Sequence, residues 1–70
     1  MNDYKIIKNI LTLSSDKKYH KELNLMSWNG NPARYDLRGW TQDHKQMTKG
    51  ITFDKGELVE LKEKLGGLEL

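Results

Sequence analysis

Seventy residues allow one domain, residues 1–70, with a small core whose net stability is roughly 3–5 kcal/mol. There is no cysteine, so neither a disulfide nor a thiolate-bound metal can staple the fold, and the chain suits a reducing compartment. No apolar run approaches the ~20 residues that cross a bilayer, and the polar start gives no signal peptide. A soluble, cytoplasmic protein with no membrane partner is expected. Self-association is one remaining route to stability, and a homodimer is expected on that ground.

The net charge of +2 is unevenly spread. Residues 1–53 carry nine Lys/Arg against five Asp/Glu; residues 54–70 carry three against five. An anionic partner should meet the first part and avoid the acidic tail.

Tyr4 to Ser14 fits two periods. Ile6, Ile7, Ile10 and Leu11 form a helical stripe, while the β-branched content and the lack of a good cap favour a strand. Apolar side chains on both parities of that strand imply a bulge or a sheet packed on both sides. Ser14 to Lys18 is turn-like. Lys21 to Trp28 alternates, with Leu23 and Leu25 on one face and Asn24, Met26 and Trp28 on the other. Asn29-Gly30-Asn31-Pro32 is a strong turn signal. Arg34 to Trp40 alternates again, Tyr35 and Leu37 against Arg34, Asp36, Arg38 and Trp40. The two strands should therefore pair as a hairpin, Leu23/Leu25 opposite Tyr35/Leu37, with these four as the core face. Asp36 should partner an arginine.

Thr41 to Met47 reads as a polar loop and Lys49 to Phe53 as a short strand. Asp54 and Glu57 have the spacing of a capping box, opening a helix with Leu58, Leu61 and Leu65 as its apolar stripe. Gly66-Gly67 should close it with a left-handed cap. Val59 lies off the stripe and could flank a partner helix.

No catalytic or cofactor constellation is present. His20 and His44 lack metal-ligand spacing and read as exposed polar residues, so no metal is expected. Glu57, Glu60 and Glu63 form a solvated helix face, and Gly30, Gly39 and Gly50 make no phosphate loop. An enzyme is not expected.

Positive chemistry is concentrated on the hairpin. Trp28, Trp40, Arg34 and Arg38 share one face, where flat rings can stack on unpaired bases and cations can hold phosphates. The same rings could instead cover a core.

The stretch from Lys21 to Gly30, the strand Tyr35-Asp36-Leu37-Arg38-Gly39-Trp40, and Lys49-Gly50-Ile51-Thr52-Phe53 together resemble the PC4 (transcriptional coactivator p15) family, closest to its short bacterial, YdbC-like members. The resemblance covers roughly residues 19–65. It implies an α+β fold: a four-stranded curved antiparallel sheet followed by one C-terminal helix (ββββα), dimerised through the helices. It implies sequence-tolerant binding of single-stranded DNA, nucleoid-associated in a bacterium, serving transcription and also replication or repair. By position, Trp28 falls on the family's stacking aromatic, Arg38, Lys21 and Lys49 on basic positions, and Trp40 near a second aromatic, one residue out of step. Two features depart from the family. The turn after Trp28 lacks the lysines of eukaryotic members, and the serine-rich acidic extension is absent.

The expected interface is thus Lys21, Asn24, Met26, Trp28, Asn29, Arg34, Arg38, Trp40 and Lys49. Bases would stack on the tryptophans, phosphates would meet Lys21, Arg34, Arg38 and Lys49, and Asn24 and Asn29 would donate hydrogen bonds. RNA is a further partner on this reading, since nothing here reads the 2′-hydroxyl. The alternative is a protein-interaction module that docks on a polymerase or repair protein without touching nucleic acid.

Overall fold

The computed structural model describes residues 3–70. Four strands follow one another, β1 (Tyr4–Thr12), β2 (His20–Trp28), β3 (Arg34–Trp40) and β4 (Ile51–Phe53), and a helix, α1 (Lys55–Gly66), ends the fold. The strands form one antiparallel sheet in the order β1-β2-β3-β4. No described helix is long and apolar enough to cross a membrane.

The hairpin register is the one its alternation demands. Leu23 pairs with Leu37 and Leu25 with Tyr35. The turn between β2 and β3 is tight because Asn29 and Gly30 both adopt positive φ, 53° and 75°. Asn31 then donates its backbone N–H to the Trp28 carbonyl at 2.9 Å. Asn-Gly is the pair that tolerates this backbone at least cost, and its twist matches that of the flanking strands. In β1 the pairing slips twice, between Ile6 and Lys8 and between Asn9 and Leu11. These irregularities account for the apolar residues on both parities, and they bend the strand.

The bending is large. Arg38 pairs with Glu22, six residues along β2 from Trp28. In a flat sheet that is a separation of about 20 Å. The Arg38 guanidinium nevertheless lies 4.6 Å from the centre of the Trp28 ring. Tyr4, paired with Trp28, likewise brings its ring to 5.6 Å from that of Trp40, which pairs with His20 at the far end of β2. The sheet therefore curls until its ends approach across one face.

That curl reverses the expected inside and outside. Met26, Asn24, Asp36 and Trp40 are fully buried on the concave face. Of the expected core set only Leu23 is buried. Leu25, Tyr35 and Leu37 are half-buried on the convex face and Ile51 is exposed.

Helix α1 starts as the sequence requires. The Asp54 carboxylate accepts from the Glu57 backbone N–H at 2.7 Å, and the Glu57 carboxylate accepts from the Asp54 N–H at 2.9 Å, completing the capping box. Its end differs from expectation. Gly67 has φ −95°, not a left-handed value, and its N–H bonds back to the last turn. The helix contacts only β3 and β4 and buries no residue completely.

Candidate nucleic-acid interface

Four rings cross the concave face in a row. Centroid separations are 5.4 Å from Trp28 to Tyr4, 5.6 Å from Tyr4 to Trp40, and 5.1 Å from Trp40 to His44. The tilted arrangements are those that aromatic quadrupoles favour. Burial is uneven along the row. Tyr4 is exposed and Trp28 half-buried, whereas Trp40 is fully enclosed, its indole Nε1 without an acceptor among the described residues.

Arg38 is the hub of this face. It grips the fully buried Asp36 carboxylate with two bonds of 2.6 Å, from Nε and Nη2. Its Nη1 reaches the Thr48 carbonyl oxygen at 3.4 Å. Its plane lies over the Trp28 ring, a cation–π contact that fixes the indole. Gly50 allows the following chain to cross here. A Cβ at that position would come within 2.7 Å of both the Arg38 Cβ and the Leu37 carbonyl oxygen.

The expected interface residues divide into three groups. Trp28, Arg34 and Arg38 are together on the concave face, with Arg34 exposed and paired with Met26 across the strands. Asn29 and Lys49 are exposed in two separate turns, Asn29 held to Asp3 by a pair of hydrogen bonds and Lys49 between two residues that abut Arg38. Lys21 is exposed but alternates onto the convex face, away from Trp28. Asn24, Met26 and Trp40 are closed off beneath the rings, so the single open face expected of both tryptophans is corrected to one open ring over a closed floor. Sequence reasoning missed Tyr4. Its pairing with Trp28 depends on the β1 register, which two irregularities obscure.

A second cluster was also hidden. Glu22 is almost wholly buried and accepts bonds from His20 Nε2 at 2.6 Å, His44 Nε2 at 2.9 Å and Asn24 Nδ2 at 3.1 Å. Burial pushes its carboxyl upward, but those donors outweigh it and hold the pKa below that of an ordinary glutamate. The histidines are therefore ligands of one carboxylate rather than scattered polar residues.

A small curled sheet with an open ring and cations at its rim offers the stacking surface and positive charge that single-stranded nucleic acid uses. The sequence matches the Transcriptional Coactivator p15 (PC4) family over residues 15–64, and the chain belongs to that family. The family is one of nucleic-acid-binding, transcription-cofactor-like domains. A relative from Treponema pallidum (strain Nichols), described only as an uncharacterized protein, is 40% identical over 68 residues, spanning 96% of this chain and 80% of the relative.

Proposed function

We propose that the chain is a non-enzymatic homodimeric module that binds single-stranded DNA with little sequence preference. It would serve transcription in the cytoplasm and also act in replication or repair. The observation that carries this reading is the Trp28 ring, held by Arg38 and flanked by exposed Tyr4 and Arg34, in a chain of this family. Bases stack on the open parts of Trp28 and Tyr4. Phosphates meet Arg34 and Lys49, with Asn29 at the rim. Trp40, Met26 and Asn24 act from below by holding the curl.

Self-association is supported by the outer surface. Val59, Leu61, Leu65 and Leu68 on and beside α1 remain exposed, as does Ile51, and the convex face carries half-buried Leu25, Tyr35 and Leu37. A second copy covering that face would bury them and leave both concave faces outward.

Titration with oligo(dT) and with duplex of equal length, read by tryptophan fluorescence, tests the proposal. Single strands should quench Trp28 and bind more tightly than duplex, and the quenching should vanish in Trp28→Phe while the fold persists. No quenching by single strands, or tighter duplex binding, would favour a protein-docking role instead.

A further inference from the structure

His20, Glu22 and His44 bring one ligand atom each to within 4.8 Å of one another, at the end of the concave face away from Trp28. Neither their spacing nor the reading above assigns them a ligand. We propose that these three residues form a binding site for a divalent transition-metal ion of the zinc type, with an open coordination position.

The donor set carries the first part of the argument. Two imidazoles and one carboxylate form the three-ligand set of sites that leave a further position for water or another ligand. Both rings approach the same oxygen, Glu22 Oε2, through Nε2. An ionised carboxylate accepts only, so each Nε2 carries a hydrogen there, and when a metal ion takes Nε2 the hydrogen of a neutral ring moves to Nδ1. Tetrahedral coordination with bonds of about 2.0–2.1 Å sets ligand atoms about 3.3 Å apart. The two His–Glu separations, 2.6 and 2.9 Å, need to open by less than 1 Å. The histidine nitrogens need to close from at most 4.8 Å. His44 can supply this movement because its side chain is 41% exposed on the loop after β3.

The surroundings carry the second part. Glu22 Oε1 is held by Asn24, whose own carbonyl oxygen accepts from Asn9 at 2.7 Å. This chain orients the carboxylate, as outer partners do for metal ligands. His44 sits at φ 59°, a conformation uncommon for a non-glycine residue. Its turn is closed by its N–H to the Thr41 carbonyl at 2.9 Å and by the Thr41 hydroxyl to Asp43 at 2.8 Å. An asparagine or glycine would tolerate that backbone better, and what histidine adds is the imidazole directed at Glu22. The cluster opens on a cavity of about 400 Å³ lined also by Thr12, Ser14, Ser15 and Gln42, which gives water or an oxygen ligand access to the remaining position.

The test is calorimetric titration of the untagged full chain with Zn2+. One ion per chain should bind at micromolar concentration or below, and a hundredfold excess over Kd should raise the melting temperature by roughly 10–20 °C. Loss of a ligand should weaken binding beyond the roughly 100-fold that outer partners contribute, in both His44→Ala and His20→Gln. His44 also covers one side of the Trp40 ring, so circular dichroism has to show that His44→Ala keeps the fold before its binding is compared. Imidazole nitrogen resonances of His20 and His44 should move on addition of Zn2+ in the unmodified protein. No saturable binding below about 1 mM, binding that survives both variants, or unmoved imidazole resonances overturns the proposal.

Discussion

Trp28 and Trp40 stand on one face yet answer substitution differently. Trp40 is fully enclosed between Tyr4 and His44, so Trp40→Ala should cost about 3–5 kcal/mol. That equals the whole stability expected of so small a core, and loss of the folded circular dichroism signal checks it. Trp28→Ala should leave the fold standing and weaken oligo(dT) binding by about 1–3 kcal/mol per stacked base, read by anisotropy. Arg38 is the case where a binding experiment would mislead. Its removal leaves the buried Asp36 carboxylate alone, at a cost of about 3–5 kcal/mol. Arg38→Ala should therefore lose most or all of the folded circular dichroism signal without urea, and Asp36→Leu with Arg38→Met should restore most of the loss. A single variant as stable as the parent would show the pair to be dispensable. That Asp36 pairs with an arginine was legible in the sequence, since Arg34 and Arg38 each stand two residues away on the same side of the strand; the fold selects Arg38. The His20–Glu22–His44 cluster was not. It joins a strand to a turn 22 residues further on, and only the fold brings them together.

At the scale of elements, what alternation and turn chemistry govern was legible, and what accumulates over distance was not. The hairpin register follows from a period of two and an Asn-Gly turn, both local. The capping box follows from two residues three apart. The curl of the sheet is a sum of twist and bulges over four strands, and no window of residues contains it. Since the curl decides which face closes, the expected open face has a closed floor of Asn24, Met26 and Trp40, and three of the four expected core residues stay half-buried, despite locally correct alternation. Helix α1 is held to the sheet only at β3 and β4, which leaves Leu61 and Leu65 exposed for the second copy of the proposed dimer. Leu61→Asp should convert a dimer to monomer in sedimentation at micromolar concentration and lower the urea midpoint with it. A wild-type chain that sediments as a folded monomer would remove the dimer.

For the whole molecule, the charge available to nucleic acid is smaller than the sequence suggests. Four cations, Lys21, Arg34, Arg38 and Lys49, would give a slope of log K against log salt of about −0.7 × 4, near −3. Two of them drop out. Arg38 is neutralised by Asp36 at 2.6 Å, and Lys21 alternates onto the convex face. Arg34 and Lys49 remain, so the slope per strand should be about −1.4. A fourfold rise in salt should then weaken binding to oligo(dT) only about sevenfold, against about fiftyfold for four contacts. Arg34→Ala should flatten the slope by nearly a unit without favouring any sequence, because it meets phosphate and not base edges. Duplex carries denser charge but keeps its bases from Trp28, so its binding should be weaker and more salt-dependent than that of single strands. A slope near −2 for single strands would mean that Arg38 leaves Asp36 on binding or that the strand crosses to Lys21, and one near −3 that both occur; Lys21→Ala lowers the slope only where the strand reaches Lys21, which separates the two routes.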